Sequence, residues 1–299
     1  MKKGNKKTFD ADWRSGYLML LPFVLLFFVF TVLPVLSSAF LSFTRYDMVS
    51  TPHFIGFSNY VRMLLTDDVF RKSVGITLKF AAITGPAGFM LSFFLAWLIN
   101  ELSPKVRSIL SFLYYSPALA GNVYFVWKIL FSGDSYGYIN SWLLNFGFIT
   151  EPVQWLKDER YTFMICVVVQ LWMSMGISFL SIIAGLQNAS PQLYEAGALD
   201  GIKNRWQELW YITLPSMKSI ILFSCVMQIQ STFSASAVMI ELTGFPSVNY
   251  STHTIVSHLI DVGTTRFEMG YASAISVFLF LLMAFFRIVV GKLIKITGR

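Results

Sequence analysis

Six stretches of this chain contain no Asp, Glu, Lys or Arg: 15–44, 80–100, 108–127, 161–194, 219–240 and 269–286. Each approaches or exceeds the roughly 20 apolar residues that an α-helix needs to cross the hydrocarbon core of a bilayer. None shows the period-two alternation of a barrel strand. The chain therefore reads as an all-α polytopic membrane protein with six transmembrane helices. Composition agrees: 55% of the 299 residues are hydrophobic and only 13% are charged, where a soluble domain carries about 25% charged residues. Six spans and their loops nearly consume the length and leave no separate soluble catalytic domain. The net charge of +7 has no basic stripe, finger or RNA-binding signature beside it, so a nucleic-acid partner is excluded.

The first span follows Lys2, Lys3, Lys6, Lys7 and Arg14 and has a small pair, Ser37 and Ala39, that resembles a cleavage site. Its apolar run is about twice a signal h-region of roughly 7–15 residues, so it is expected to be retained. The reading divides the chain into an N-terminal cytoplasmic segment 1–16, a first span 17–43 and a core of five spans at 73–295, with a cytoplasmic loop at 187–216 inside that core. Cys166 and Cys225 both fall within spans, where they are small apolar residues and not disulfide or metal partners.

Loop charges set the expected orientation. The N-terminus, the 101–107 link, the loop with Lys203, Arg205 and Lys218, and the tail with Arg287, Lys292, Lys295 and Arg299 hold 14 of the 23 Lys and Arg. The other three loops hold seven: Arg45, Arg62, Arg71, Lys72, Lys157, Arg160 and Arg266. Positive charge marks the cytoplasmic face, which puts both termini inside a multi-pass protein of the cytoplasmic membrane. Two opposite-side loops carry amphipathic patterns: Ser58 as a cap before Tyr60, Leu64, Leu65 and Phe70, and Ile139, Trp142, Leu143 and Phe146 at helical spacing. Such segments can lie flat at the interface, with Trp142 and Trp155 at headgroup level, or can form a rim for an external partner.

The span interiors lack acids, and His53, His253 and His258 all fall in loops. Lys79 is close enough to a span end to snorkel. A carboxylate-driven carrier is disfavoured on that ground. No H-E-x-x-H, G-x-S-x-G or phosphate-binding loop is present, so neither an intramembrane enzyme nor ATP hydrolysis by this chain is expected. Two spans carry neutral polar stripes. Gln170, Ser174, Ser178 and Ser181 share one face of the fourth, and Ser224, Gln228 and Ser231 share one face of the fifth, with Gln230 and Ser234 near them. They suit either a path for an uncharged, hydroxyl-rich solute or hydrogen bonding between helices.

The loop between the fourth and fifth spans reads as a helical hairpin. Ser190 and Pro191 open a short helix that Asp200-Gly201 stops, with Gly201 free to adopt a left-handed C′ conformation. Asn204 and Gln207 resemble a capping box for a second helix, which Pro215 ends or kinks. Trp206, Leu209 and Trp210 fall on one stripe of that second helix, while Ala196, Gly197 and Ala198 keep the first slim. The hairpin suits docking of a slim helix into a partner's groove, or ordinary packing on the membrane face.

Glu195-Ala196-Gly197, Asp200-Gly201 and Ile212-Thr213-Leu214-Pro215 resemble the EAA coupling motif of permease subunits in binding-protein-dependent ABC importers. Leu41-Ser42-Phe43-Thr44, Tyr46-Asp47, Phe54-Ile55-Gly56-Phe57 and Asn59-Tyr60 are similar to the start of carbohydrate-type permeases of the first-subunit class. Gly197 stands where that family has a second Ala, and Ile202 where it has the Ala after Asp-Gly. The interval from Asp-Gly to Leu-Pro is one residue longer than in the commonest version.

The resemblance implies a type I ABC importer permease fold and a translocation subunit that is not itself an enzyme. It also implies four kinds of partner: a second homologous permease, an ATPase dimer, an extracytoplasmic sugar-binding protein and the lipid bilayer. No cofactor is expected on this chain, because ATP and Mg belong to the ATPase. Glu195, Ala196, Gly197, Asp200, Gly201 and Pro215 would meet the ATPase, making 187–216 the coupling loop. Gln170, Ser174, Gln228 and Ser231 would line the substrate pathway, and no residue would bind a metal. A stand-alone secondary carrier for a neutral polar solute is the alternative.

Overall fold

The computed structural model describes residues 6–121 and 123–297 of an almost wholly helical chain. Lys2, Lys3 and Arg299, counted in the orientation argument, lie outside the described residues. Among the described residues, five helical segments are long and apolar enough to cross a bilayer: Ser15–Leu41, Asp68–Asn100, Glu159–Asn188, Lys218–Thr243 and Met269–Leu293. The expected third span, 108–127, is instead a broken pair, Pro104–Leu119 and Tyr124–Leu130, that reaches span length only when taken together. Pro117 sits in the last turn of the first of these helices, and Ala120 after it is extended at φ −83°, ψ 114°. A proline there has no amide donor, and its ring crowds the preceding turn, so the helix stops.

The chain divides into two compact units, one of Met1–Thr66 with Leu259–Phe278, the other of Asp67–His258 with Leu279–Arg299. In the first unit, the helix carrying the first span begins at Lys6, well before the expected boundary at 17, and runs through one π turn at Phe28–Val32 to Leu41. None of the residues in this span is buried. A two-residue hairpin then pairs Thr44–Arg45 with His53–Phe54. The Asn59 amide fastens it by donating to the carbonyls of Ser42 and Thr44, each at 2.9 Å. At its tip the Asp47 carboxylate accepts from the Ser50 hydroxyl and from the Ser50 and Val49 amides, which hold its pKa down at about 2. Ser58 is not a cap: it is the first residue of the turn Ser58–Val61, and its hydroxyl donates back to Ile55. The Arg62 guanidinium pairs with Glu268 and lies 4.2 Å from the centre of the Tyr271 ring.

In the second unit Asp67 caps the long helix Asp68–Asn100 by accepting from the Phe70 amide at 2.8 Å. Its other oxygen lies 3.1 Å from Nε2 of the buried His258, which occupies the short helix Ile255–Ile260 and not a loop. Phe70, expected on a surface helix, is 1% exposed inside that long helix. Two apolar clusters hold the unit together. One joins Phe93, Ala96 and Ile99 of the second span to Phe179, Ile182 and Ile183 of the fourth and to Leu209 and Met217 beyond it. The other gathers Phe80, Ile165, Cys166, Val169, Val238 and Met239. Cys166 is buried in the second cluster and Cys225 is half-buried; both are free thiols.

The segment between the third and fourth spans is organised by Asn140, which is fully buried within the helix Tyr138–Asn145. Its amide nitrogen donates to the carbonyls of Ser132, Asp134 and Val153, while its oxygen accepts from the Val153 amide and the Trp155 indole. Trp155, expected at headgroup level, is thereby drawn in against Phe131 and Tyr161. Asn140→Ala strands several backbone groups and an indole N–H at about 1–3 kcal/mol each. Protease cleavage between residues 132 and 155 is the readout, and at least a tenfold acceleration is expected.

Candidate functional site

Both polar stripes lie on helices that are interrupted midway. The fourth span breaks into Glu159–Met173 and Ile177–Asn188, and the fifth into Lys218–Phe233 and Ala237–Thr243. Around these breaks is a cavity of about 450 Å³ lined by Gln170, Ser174, Ser178, Gln228, Gln230, Ser231 and Ser234, with Tyr115 and Tyr124 and an apolar remainder that includes Met173, Ile177, Met227 and Val238. Among the described residues, no Asp, Glu, Lys, Arg or His lines it. All four residues expected on a pathway, Gln170, Ser174, Gln228 and Ser231, thus stand in one cavity.

The stripes do not serve a single purpose along their length. Ser178 donates its hydroxyl to the Ser224 carbonyl at 3.0 Å, and Ser224 donates to the Ser178 carbonyl at 3.5 Å. This reciprocal pair bonds the fourth span to the fifth, the commoner use of serine between membrane helices. Ser181 turns back to the Ile177 carbonyl at 2.8 Å and does not reach the cavity. At the cavity end, Gln228 Nε2 donates to the Thr84 carbonyl at 3.4 Å, and Ser92 donates to the Ser174 carbonyl at 3.2 Å. Gly88 of the second span makes this approach possible: a Cβ there would lie 2.4 Å from Gln228 Nε2.

Lys128 and Glu241, outside the cavity lining, form an ion pair at 3.1 Å. Glu241 lies in the last turn of the fifth span. Each member of the pair stands one helical turn beyond a lining residue, Tyr124 or Ala237. Both are more than 40% exposed.

The hairpin between the fourth and fifth spans has well-defined joints. Its first helix is Pro191–Leu199, with Ser190 at the cap position but making no side-chain capping bond. Gly201 has φ +91°. The Ile202 amide donates to the Gly197 carbonyl at 3.0 Å and the Gly201 amide to Ala198 at 3.4 Å, the paired bonds of a Schellman ending. Glu195, Ala196 and Asp200 are exposed, and Leu199 is 90% exposed. Gly197 alone of this helix is buried: a Cβ there would meet Ile212 Cδ1 at 2.5 Å and Ile202 Cδ1 at 3.1 Å. The two departures from the EAA pattern, Gly197 and Ile202, are therefore sterically complementary.

In the second arm Asn204 accepts from the Gln207 amide at 2.8 Å, and Gln207 Oε1 accepts from the Lys203 amide at 2.9 Å, so the box closes one residue earlier than expected. A π turn at Leu209–Thr213 follows the helix Arg205–Glu208. The extra residue in that turn rotates the faces, and the expected stripe of Trp206, Leu209 and Trp210 is split. Leu209 is 3% exposed in the core while Trp210 is 64% exposed, and Trp206 rests against Trp97 with ring centres 5.3 Å apart. Tyr194 and Thr213 hydroxyls meet at 3.0 Å across the hairpin, and Arg205 pairs with Glu101 at 3.2 Å. Pro215 lies exposed in the turn Leu214–Ser216 that precedes the fifth span.

Sequence reasoning missed Tyr115, Tyr124, Thr84, Gly88 and Asn140. Only Gly88 carried a signal, a small residue inside an apolar span, where close helix approach is common.

The sequence and fold both have known relatives. Residues 86–295 match the family described as binding-protein-dependent transport system inner membrane component. The chain is 30% identical to the probable ABC transporter permease protein YesP of Bacillus subtilis, covering 98% of this chain and 93% of that protein. It is 29% identical to the arabinooligosaccharides transport system permease protein AraP of the same organism, over 98% and 92% of the two chains. The lactose transport system permease protein LacF of Rhizobium radiobacter is also 29% identical, over 93% and 92%. In fold, the chain matches a solved bacterial ABC transporter involved in import of the acidic polysaccharide alginate, with a TM-score of 0.78, 22% identity and 98% and 99% coverage. A family match over most of the chain, relatives aligned nearly end to end and a shared helical architecture lead to one assignment: the chain belongs to the inner membrane components of binding-protein-dependent transport systems.

Proposed function

We propose that the chain is the permease subunit of an ATP-driven importer that moves a neutral sugar or oligosaccharide across the cytoplasmic membrane by alternating access. The observation that carries this reading is the uncharged cavity at the breaks of the fourth and fifth spans, walled by amides, hydroxyls and two tyrosines. Amides and hydroxyls exchange hydrogen bonds with sugar hydroxyls, and the tyrosine rings offer faces for the C–H side of a pyranose. A carboxylated cargo would bring its charge into this space with no counter-ion, which is costly in a low dielectric. Two relatives, an arabinooligosaccharide and a lactose transport system permease, point the same way.

Gln170, Ser174, Gln228 and Ser231 contact the solute in this reading. Glu195, Ala196, Gly197, Asp200, Gly201 and Pro215 form the contact with a partner ATPase, whose ATP and Mg power the cycle. Both termini and the 187–216 hairpin face the cytoplasm, a second homologous permease completes the pathway, and an external binding protein delivers the solute. ATP drives the switch because the ATPase binds it more tightly in one of the two states, and that difference is passed to the hairpin.

Gly201→Val tests the coupling. Its φ of +91° is costly for any L side chain and more so for a β-branched one. The variant is expected to reach the membrane at normal levels and to lose binding-protein-dependent uptake. Uptake at the wild-type rate would refute the coupling role. The purified chain alone in liposomes is expected to give no gradient-driven exchange of the solute, which separates this reading from a secondary carrier.

A further inference from the structure

We infer that the short helix Tyr138–Asn145 is an interfacial anchor whose aromatic face lies in the headgroup layer of the bilayer. Tyr138, Trp142 and Phe146 stand at i, i+4 and i+8, so they share one face, and they are 66%, 62% and 62% exposed. Tyr136 and Phe148 flank the helix at 93% and 72% exposure, and the Phe148 ring lies 6.4 Å from that of Phe146. Trp142 and Phe146 already meet edge to face, with centres 4.8 Å apart. The opposite face is spoken for: Asn140 is fully buried, and Ile139, Leu143 and Leu144 are half-buried.

Three features favour lipid over protein as the occupant. First, residues 135–150 contain no charged side chain, and the run is bounded by Asp134 and Glu151. A docked protein is ordinarily met by a polar rim around an apolar centre, whereas here the nearest charges, Asp134 and Glu151, stand outside the helix at the two ends of the run. Second, the exposed polar groups on the aromatic face are all uncharged, the Tyr138 hydroxyl and the Trp142 indole N–H beside the Asn145 amide at the helix end. Tyrosine and tryptophan are the side chains that settle at a membrane–water boundary, with ring in the acyl region and dipole in water.

Third, the segment is continuous on both sides with exposed apolar surfaces of membrane-spanning helices. The preceding helix Tyr124–Leu130 exposes Phe125, Val126 and Ile129, and the following span exposes Tyr161, Met164 and Val168. The Asn140 hub ties the helix rigidly to residues 132–134 and 153–155. Seating its outer face therefore fixes the depth of the whole loop between the third and fourth spans. The inference depends only on the chain spanning a bilayer and not on what it transports.

The test uses the full chain with Cys166→Ala and Cys225→Ala, carrying one nitroxide at Trp142→Cys, Phe146→Cys or Glu151→Cys. It is reconstituted in phosphatidylcholine nanodiscs. Relaxation by oxygen, which concentrates in lipid, is compared with relaxation by a water-soluble nickel chelate. Positions 142 and 146 are expected to favour oxygen several-fold over position 151. Helicity and elution volume like the parent's show that each variant is folded, and both test positions are already exposed. Chelate access at 142 and 146 equal to that at 151 overturns the anchor. Access that is aqueous in the bilayer and is lost only when a soluble solute-binding protein is added also overturns it, in favour of a protein-docking surface.

Discussion

A Gly197→Leu chain is expected to insert and accumulate normally, to lose at least about tenfold in uptake, and to recover most of that loss when Ile212→Ala is added. Leucine is a better helix former than glycine, so the loss cannot come from helix propensity. It comes from space. Even a bare Cβ at this position would sit 2.5 Å from Ile212 Cδ1 and 3.1 Å from Ile202 Cδ1, and leucine adds three further carbons. Overpacking of this kind typically costs about 1–3 kcal/mol, and the strain is relieved by moving one helix off the other.

The helix that would move is Pro191–Leu199, which carries the exposed Glu195, Ala196 and Asp200. Gly197→Ala is expected to be much milder, because Cδ1 is the free end of a side chain that can rotate away. Initial rates of binding-protein-dependent uptake, normalised to membrane content, are the measurement. Full activity in Gly197→Leu would mean that the seating of this helix on Ile212 is irrelevant to transport. Failure of Ile212→Ala to rescue would place the defect elsewhere.

The second large effect is a pH dependence created by one atom. Gln228→Glu keeps the shape of a side chain that is 3% exposed and that donates to the Thr84 carbonyl at 3.4 Å. An acid introduced at mid-span carries a penalty of about 2.5–3.5 kcal/mol when charged. Desolvation favours the neutral form, so the pKa of the new acid rises above its usual value near 4.3. Below that raised pKa the acid is protonated and donates to Thr84 as glutamine does. Above it the carboxylate has no proton to donate and faces a carbonyl oxygen.

Uptake by Gln228→Glu is therefore expected to be retained at low pH and to fall, about tenfold or more, as pH rises through that value. The wild type, whose cavity lining has no Asp, Glu, Lys, Arg or His among the described residues, should show no such transition. Gln228→Leu should be low at every pH. Initial rates in proteoliposomes with equal pH on both sides would show this, and a Gln228→Glu profile parallel to the wild type would remove Gln228 from the solute pathway.

The spans were legible because the absence of charge over about twenty residues is a property of the sequence itself. The joints of the hairpin were legible for a similar reason. Gly201 at a left-handed position and Asn204 capping towards Gln207 are decided within a few residues of where they occur. What the sequence concealed involves partners far along the chain, or geometry that leaves hydropathy unchanged. The break at 174–176 keeps its apolar character, so a continuous fourth span was the natural expectation. The π turn at Leu209–Thr213 inserts one residue without altering composition and sends Leu209 into the core away from Trp210. Asn140 reads as an ordinary polar residue on a short amphipathic helix. Its role becomes visible only once residues 6–15 positions away close around it.

The paired interruptions of the fourth and fifth spans carry a consequence for genetics. Where a helix stops, its terminal amides and carbonyls have no partner within the helix, and in membrane carriers such unwound backbone commonly serves as the ligand-binding surface. Gly176 and Ala235, which border the interruptions, line the cavity and offer few or no side-chain atoms to it. On the proposed pathway, peptide groups at these breaks are expected to form part of the recognition surface, and most side-chain substitutions leave them in place. An alanine scan would map the amides and hydroxyls and pass over the rest, so amide-to-ester replacement is the chemistry suited to counting those contacts.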